Sequence, residues 1–115
     1  MESKSKIVAL VGLPGSGKST VGRHLSRRWG IPFLDSDHVI EQRTGGPVRD
    51  FFTQYGEEAF RDLEQQVIAE LCADPTQPQI VATGGGAVLR SANRDVLHQQ
   101  CHVFYLKASP EELFQ

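Results

Sequence analysis

The chain is 115 residues and 12.7 kDa, with 39% hydrophobic and 23% charged residues and a formal net charge of −2. That size suits one domain rather than two, and the composition excludes a disordered tail, a coiled coil or a collagen-like chain. The near-neutral charge gives no overall pull toward nucleic acid or a membrane surface, and no apolar run approaches the roughly 18–20 residues needed to cross a bilayer.

The first six residues are polar and the apolar stretch after them is short and broken by Gly12 and Pro14. A secretory signal is therefore not expected, and a cytoplasmic location is. Residues 7–11, Ile-Val-Ala-Leu-Val, form a continuous β-branched apolar run, the pattern of a strand buried on both faces of a parallel sheet. From Lys18 to Trp29 the apolar positions Val21, Leu25 and Trp29 recur at helical spacing, and Gly30 supplies a stop. Residues 32–35, Pro-Phe-Leu-Asp, predict a second, shorter strand. A brief helix follows through Val39 and Ile40 to Gly45-Gly46.

Residues 48–55 predict another short helix ending near Gly56. A longer one runs over about 57–73 with Phe60, Leu63, Val67 and Leu71 on one stripe, closed by Asp74-Pro75. Residues 80–83 predict a third buried strand that ends at Gly84-Gly85-Gly86. A helix over 91–100 and a fourth strand over 102–106 complete the pattern. Strands alternating with helices imply βαβ units, hence a parallel sheet with helices on both faces. Ser109-Pro110-Glu111-Glu112 combines an N-cap, a proline at the first helical position and a capping box, so a further helix is expected to begin just before Gln115.

Cys72 and Cys101 are too few for a disulfide framework and are expected to be reduced, in or near the core. His98, Cys101 and His102 are closely spaced, but no second ligand pair accompanies them, so a zinc site is not expected.

Charge is unevenly spread. Residues 1–30 hold six Lys/Arg against Glu2, whereas residues 31–80 hold three Arg against ten Asp/Glu. The basic third contains Gly12-Leu13-Pro14-Gly15-Ser16-Gly17-Lys18-Ser19, a match to G-x-x-x-x-G-K-[ST] placed between a predicted strand and a predicted helix. In that motif, glycines let backbone N–H groups curl around phosphate oxygens and the helix N-terminus adds its dipole. Gly15, Ser16, Gly17, Lys18, Ser19 and Thr20 are thus the candidate nucleotide-phosphate residues. Lys18 is suited to the β- and γ-phosphates and Ser19 to Mg²⁺.

A metal at such a loop also needs a carboxylate, and the second strand ends in Asp35-Ser36-Asp37. The alternative role for either aspartate is to cap the next helix, which for Asp37 is compatible with function. Arg61 and Glu64, at i, i+3 on the long helix, read in isolation as an exposed ion pair off the apolar stripe. The triple glycine 84–86 stands at the carboxyl end of a parallel strand, where doubly wound sheets bind ligands.

Together GLPGSGKST (12–20), FLDSD (33–37), FRDLE (60–64) and ATGGG (82–86) resemble shikimate kinase in order and spacing, from Ile7 onward. The resemblance implies a P-loop NTPase fold of the nucleoside-monophosphate-kinase-like kind: α/β, three layers, a parallel sheet with helices on both faces, here one domain over 1–115. It implies ATP- and Mg²⁺-dependent phosphorylation of the 3-hydroxyl of shikimate by a monomer. Ser19 and Asp35 would serve the metal, Asp35 through water, and Lys18 and Asp37 would be catalytic. Asp37, Arg61, Gly84, Gly85 and Gly86 would form the substrate site, with Arg61 on the carboxylate. Glu64 would either hold Arg61 or touch substrate, and Phe52 and Phe60 would supply apolar walls. By the same resemblance the lid with its arginines and the last strand would lie past Gln115, so the 115-residue chain is expected to turn over poorly. Two other readings are a gluconate-type small-metabolite kinase and a non-catalytic nucleotide-binding module.

Overall fold

Four strands, Ile7–Gly12 (β1), Phe33–Asp35 (β2), Gln79–Ala82 (β3) and His102–Leu106 (β4), pair in parallel in the order β2-β3-β1-β4. They belong to a computed structural model that describes residues 5–12 and 17–106. Gly15 and Ser16, and the helix expected from Ser109, lie outside the described residues. The register sets Ala9 beside Val81 on one side and Val103 on the other, and Leu34 beside Val81. β1 and β3 are therefore interior strands, and their apolar runs are buried on both faces as the sequence predicts.

Side chains alternate across β1. Ile7, Ala9 and Val11 face a core completed by Ile68, Cys72, Ala87, Leu97 and Cys101. Those partners come from the helices Val48–Leu71 (α3) and Ser91–Gln100 (α4), from the residues that cap their C-termini, Cys72 and Cys101, and from the 3₁₀ turn Ala87–Leu89. On the other face, Val8 and Leu10 meet Val21 and Leu25 of the helix Lys18–Trp29 (α1). The result is three layers with the sheet in the middle, as expected. The helix Ser36–Thr44 (α2) packs Ile40 against Phe60 and Val67 of α3, forming a second cluster beside the sheet.

The break expected at Gly56 is real: φ of +89° and ψ of 172° there divide α3 into two helical stretches, a backbone state that suits glycine. The Val21/Leu25/Trp29 stripe does face the sheet, but Trp29 at the end of α1 stays half exposed. β4 is an edge strand with Val103, Phe104 and Tyr105 exposed. The 3₁₀ turn at Ala87–Leu89 was not expected from the sequence. No helix among the described residues is long and apolar enough to cross a membrane.

Because all four strands run the same way, Gly12, Asp35 and Thr83-Gly84 emerge at one end of the sheet. The residues singled out by motif converge there.

Candidate active site

The phosphate end is built on the first turn of α1. Gly17 caps it in the left-handed region, with φ of +93°, and no side chain among the described residues caps its N–H groups. A helix start of this kind, with Lys18 in the first turn, offers oriented donors and positive charge to an anion. Lys18 Nζ donates to the Gly12 carbonyl at 2.6 Å. Burial pulls its pKa down, and the nearby Asp37 and Asp35 partly oppose that by favouring the charged form. Thr20, one residue beyond Ser19, is exposed.

Ser19 and Asp35 face each other as expected. The Ser19 hydroxyl donates to Asp35 Oδ2 at 3.3 Å, and Asp35 Oδ1 accepts the Asp37 N–H at 2.9 Å. Asp35 is thus the N-cap of α2, leaving Asp37 in its first turn with its carboxylate free for another task. A hydroxyl and a carboxylate oxygen are hard donors that fit Mg²⁺, which keeps most of its shell as water and phosphate oxygens.

The acceptor end lies where α2, α3 and the glycine loop meet. A Cβ on Gly84 would stand 2.8 Å from Asp37 Oδ1 and 3.0 Å from Glu64 Oε2. A Cβ on Gly86 would lie against the Arg61 guanidinium, 2.7 Å from Cζ. Glycine lets the backbone pass close to three charged side chains without displacing their ends. Asp37 Oδ1, Glu64 Oε2 and Arg61 Nε are all buried without a hydrogen-bond partner among the described residues. Buried polar atoms are ordinarily satisfied, so this cluster marks a candidate place for a polar ligand or water.

Asp37 carries the clearest electrostatic signature. Burial first, then the negative charges of Asp35, Glu64 and Glu41, push its carboxyl up to about 6, while Lys18 pulls it down. A carboxylate tuned to that range can accept a proton near neutral pH.

Arg61 and Glu64 correct the reading of an exposed pair. Glu64 is fully buried, and Arg61 Nη1 donates to its Oε1 at 2.9 Å. Helical periodicity explains the burial, because residue 64 falls between Phe60 and Val67/Ile68 on the inward face. Phe60 is buried with the Arg61 guanidinium 5.1 Å from its ring centroid. Phe52 packs on Phe60 with ring centroids 5.6 Å apart but is itself more than a third exposed. Sequence reasoning missed Arg90 and Asn93, which contact α3 and the glycine loop; no local spacing announces such distant pairings.

Comparison with known proteins identifies relatives of the chain. A family model described as shikimate kinase matches residues 14–115. The chain is 62% identical over 108 residues to a shikimate kinase of Paracidovorax citrulli, covering 94% of this chain and 59% of that protein. A shikimate kinase of Burkholderia thailandensis is 51% identical over 109 residues, and the match covers 57% of its length. Among solved structures, a shikimate kinase from Acinetobacter baumannii in complex with shikimate superposes with a TM-score of 0.85 at 44% identity, covering 95% of this chain and 59% of that one. The chain thus spans a little under three-fifths of the length of these relatives.

Proposed function

The chain belongs to the shikimate kinase family, and from that premise we propose that it serves an ATP- and Mg²⁺-dependent phosphotransferase acting on the 3-hydroxyl of shikimate. The observation that carries this reading is the convergence of Asp37, Arg61 and Glu64 on Gly84–Gly86 beside a phosphate-binding helix start. An acceptor bearing a carboxylate and several hydroxyls suits a pocket with one guanidinium, two carboxylates and open backbone.

Roles follow from chemistry. Arg61, held by Glu64, presents a planar fork to the substrate carboxylate. The Gly84–Gly86 backbone lines the same pocket. Asp37 orients the attacking hydroxyl and takes its proton, which its raised pKa permits. Lys18, with Gly15, Ser16, Gly17, Ser19 and Thr20 of the motif, holds the nucleotide phosphates, and Lys18 offsets charge on the transferring group. Ser19 and Asp35 would hold Mg²⁺, Asp35 through water. The ion, when bound, neutralises phosphate charge. Catalysis of this kind is mainly positioning and electrostatics, which is what these residues supply.

We read the chain as a single kinase domain of a cytoplasmic, monomeric protein without nucleic-acid or membrane partners. The balanced net charge supports that reading. The deciding experiment follows phosphate from ATP by ³¹P NMR with shikimate as acceptor. With the chain extended to the length of its relatives, a new phosphomonoester signal dependent on Mg²⁺ and on Asp37 is expected, and little of it from the 115-residue chain; consumption of ATP by the extended chain without that product would refute the assignment.

A further inference from the structure

The glycine loop is held from outside by side chains that the proposed chemistry does not use. Its own backbone closes two turns, Ala87 N–H to the Gly84 carbonyl and Leu89 N–H to the Gly86 carbonyl, both at 3.1 Å. Beneath it, the buried Asn93 donates from Nδ2 to the Ala87 carbonyl at 2.9 Å, and Arg94 donates to the Val88 carbonyl at 2.6 Å. At its far end Arg90 reaches back to α3. There Nη1 donates to Asp62 Oδ1 at 2.7 Å and Gln65 Oε1 at 3.0 Å, and Nη2 to Glu58 Oε1 at 3.3 Å.

The three acceptors bracket Arg61, at positions −3, +1 and +4 along the helix. Arg90 therefore joins the end of the loop to the helix turn that presents the substrate-binding guanidinium. The loop backbone passes directly against that guanidinium: a Cβ on Gly86 would lie 2.7 Å from Arg61 Cζ. As a contribution to folding the contacts are weak, because Glu58 and Asp62 are 90% and 66% exposed. Their consequence lies in geometry: a planar fork that fixes two elements at one spacing.

We infer that Arg90 is a positioning residue of the acceptor site, clamping the Gly84–Gly86 loop to α3 so that loop backbone and Arg61 bind one ligand together. This rests on the reading of that pocket as the shikimate site. Arg90 makes no contact with substrate in this account; it acts through the loop.

The test compares Arg90→Ala, Arg90→Lys and the double variant Glu58→Ala/Asp62→Ala with the unmodified chain. Shikimate and ADP are titrated separately by calorimetry, and amide hydrogen exchange is followed over residues 84–89. Arg90→Ala is expected to weaken shikimate about 5- to 20-fold, leave ADP affinity unchanged and speed exchange in the loop alone. Glu58→Ala/Asp62→Ala is expected to act in the same direction, and Arg90→Lys to restore part of the loss. If Arg90→Ala does not fold, the other two variants carry the comparison.

Wild-type shikimate affinity or wild-type loop exchange in Arg90→Ala overturns the clamp. Weaker shikimate binding in Arg90→Ala but not in the double variant with Gln65→Ala added overturns it too, since Arg90 would then act on substrate directly. Failure of the unmodified chain to bind shikimate while it binds ADP refutes the acceptor reading itself, and the positioning role falls with it.

Discussion

Arg61 and Glu64 form a 2.9 Å ion pair one turn apart on α3, and the carboxylate of that pair is entirely buried. Glu64 spends one oxygen on Arg61 and leaves the other unpaired, facing Gly84 and the Asp37 carboxylate. A buried charge that is only half satisfied makes both partners sensitive to loss of the other.

Arg61→Ala should therefore be costly twice over. Stranding the Glu64 charge is expected to destabilise the fold by about 3 kcal/mol, and shikimate binding should be lost with the guanidinium. Glu64→Gln leaves the Arg61 charge, which is partly exposed and still has Glu57 at 3.9 Å, and should cost less stability. Denaturant midpoints and calorimetric titration of the two variants measure both effects. Equal stabilities would show that the pair is not electrostatically coupled.

Asp37 sets a pH dependence whose sign can be worked out. Its carboxyl holds a proton up to about pH 6 when folded, against an ordinary value of 3.8. The raised value lends the fold stability that is fully present below pH 3.8 and is lost as the pH rises through 6. Asp37→Asn should thus raise the thermal midpoint by a few degrees above pH 6, on the order expected for one removed unfavourable charge. That gain should vanish toward pH 4. In the kinase reading, kcat/KM of the active enzyme should fall on the acid side of about pH 6. Melting curves across pH check the first claim and a pH–rate profile the second.

Gly84→Ala tests the close approach of loop and carboxylates. The added methyl would sit 2.8 Å from Asp37 Oδ1 and 3.0 Å from Glu64 Oε2. The two carboxylates would have to shift, so shikimate binding should weaken while ADP binding at α1 persists, since the two ends use different elements. Parallel calorimetric titrations read this directly. Retained shikimate affinity would place the acceptor elsewhere.

Cys72 and Cys101 offer a probe of the core. Their sulfurs are 3.5 Å apart, both side chains are buried, and neither is in a disulfide. The hydrogen bond to Cys72, with burial, holds the Cys101 thiol well above its ordinary pKa. A thiol-reactive dye should find almost no reactive group in the native chain and both thiols after denaturation. Rapid native labelling would show that the face made by α3 and α4 is open.

Much of this was readable before any coordinates. The uninterrupted Ile-Val-Ala-Leu-Val run, the breaks at Gly30 and Gly56 and the stretches between them predict the order of strands and helices. The phosphate motif and the Asp35-Ser36-Asp37 end of the second strand name two parts of the candidate site because their chemistry is local. What could not be read is what depends on contacts between distant segments. Glu64 reads in the sequence as an exposed ion-pair partner off the apolar stripe, whereas in the fold it shares the inward face of Phe60, Val67 and Ile68, with Arg61 and the glycine loop around it. Arg90 carries no local signal at all, because its partners lie at least 25 residues back on α3. Trp29 has the helical spacing of a buried residue but stays half exposed at the end of α1.

The most direct test of the central claim is an amide-resolved NMR titration of the chain with shikimate and, separately, with ADP and Mg²⁺. The account predicts that shikimate shifts the amides of Asp37, Arg61 and Gly84–Gly86, that the nucleotide shifts those of Gly17–Thr20, and that Arg61→Ala removes only the first set. Shikimate-induced shifts confined to residues outside the Asp37–Arg61–Gly84 cluster, or none at all while ADP binds, would contradict it.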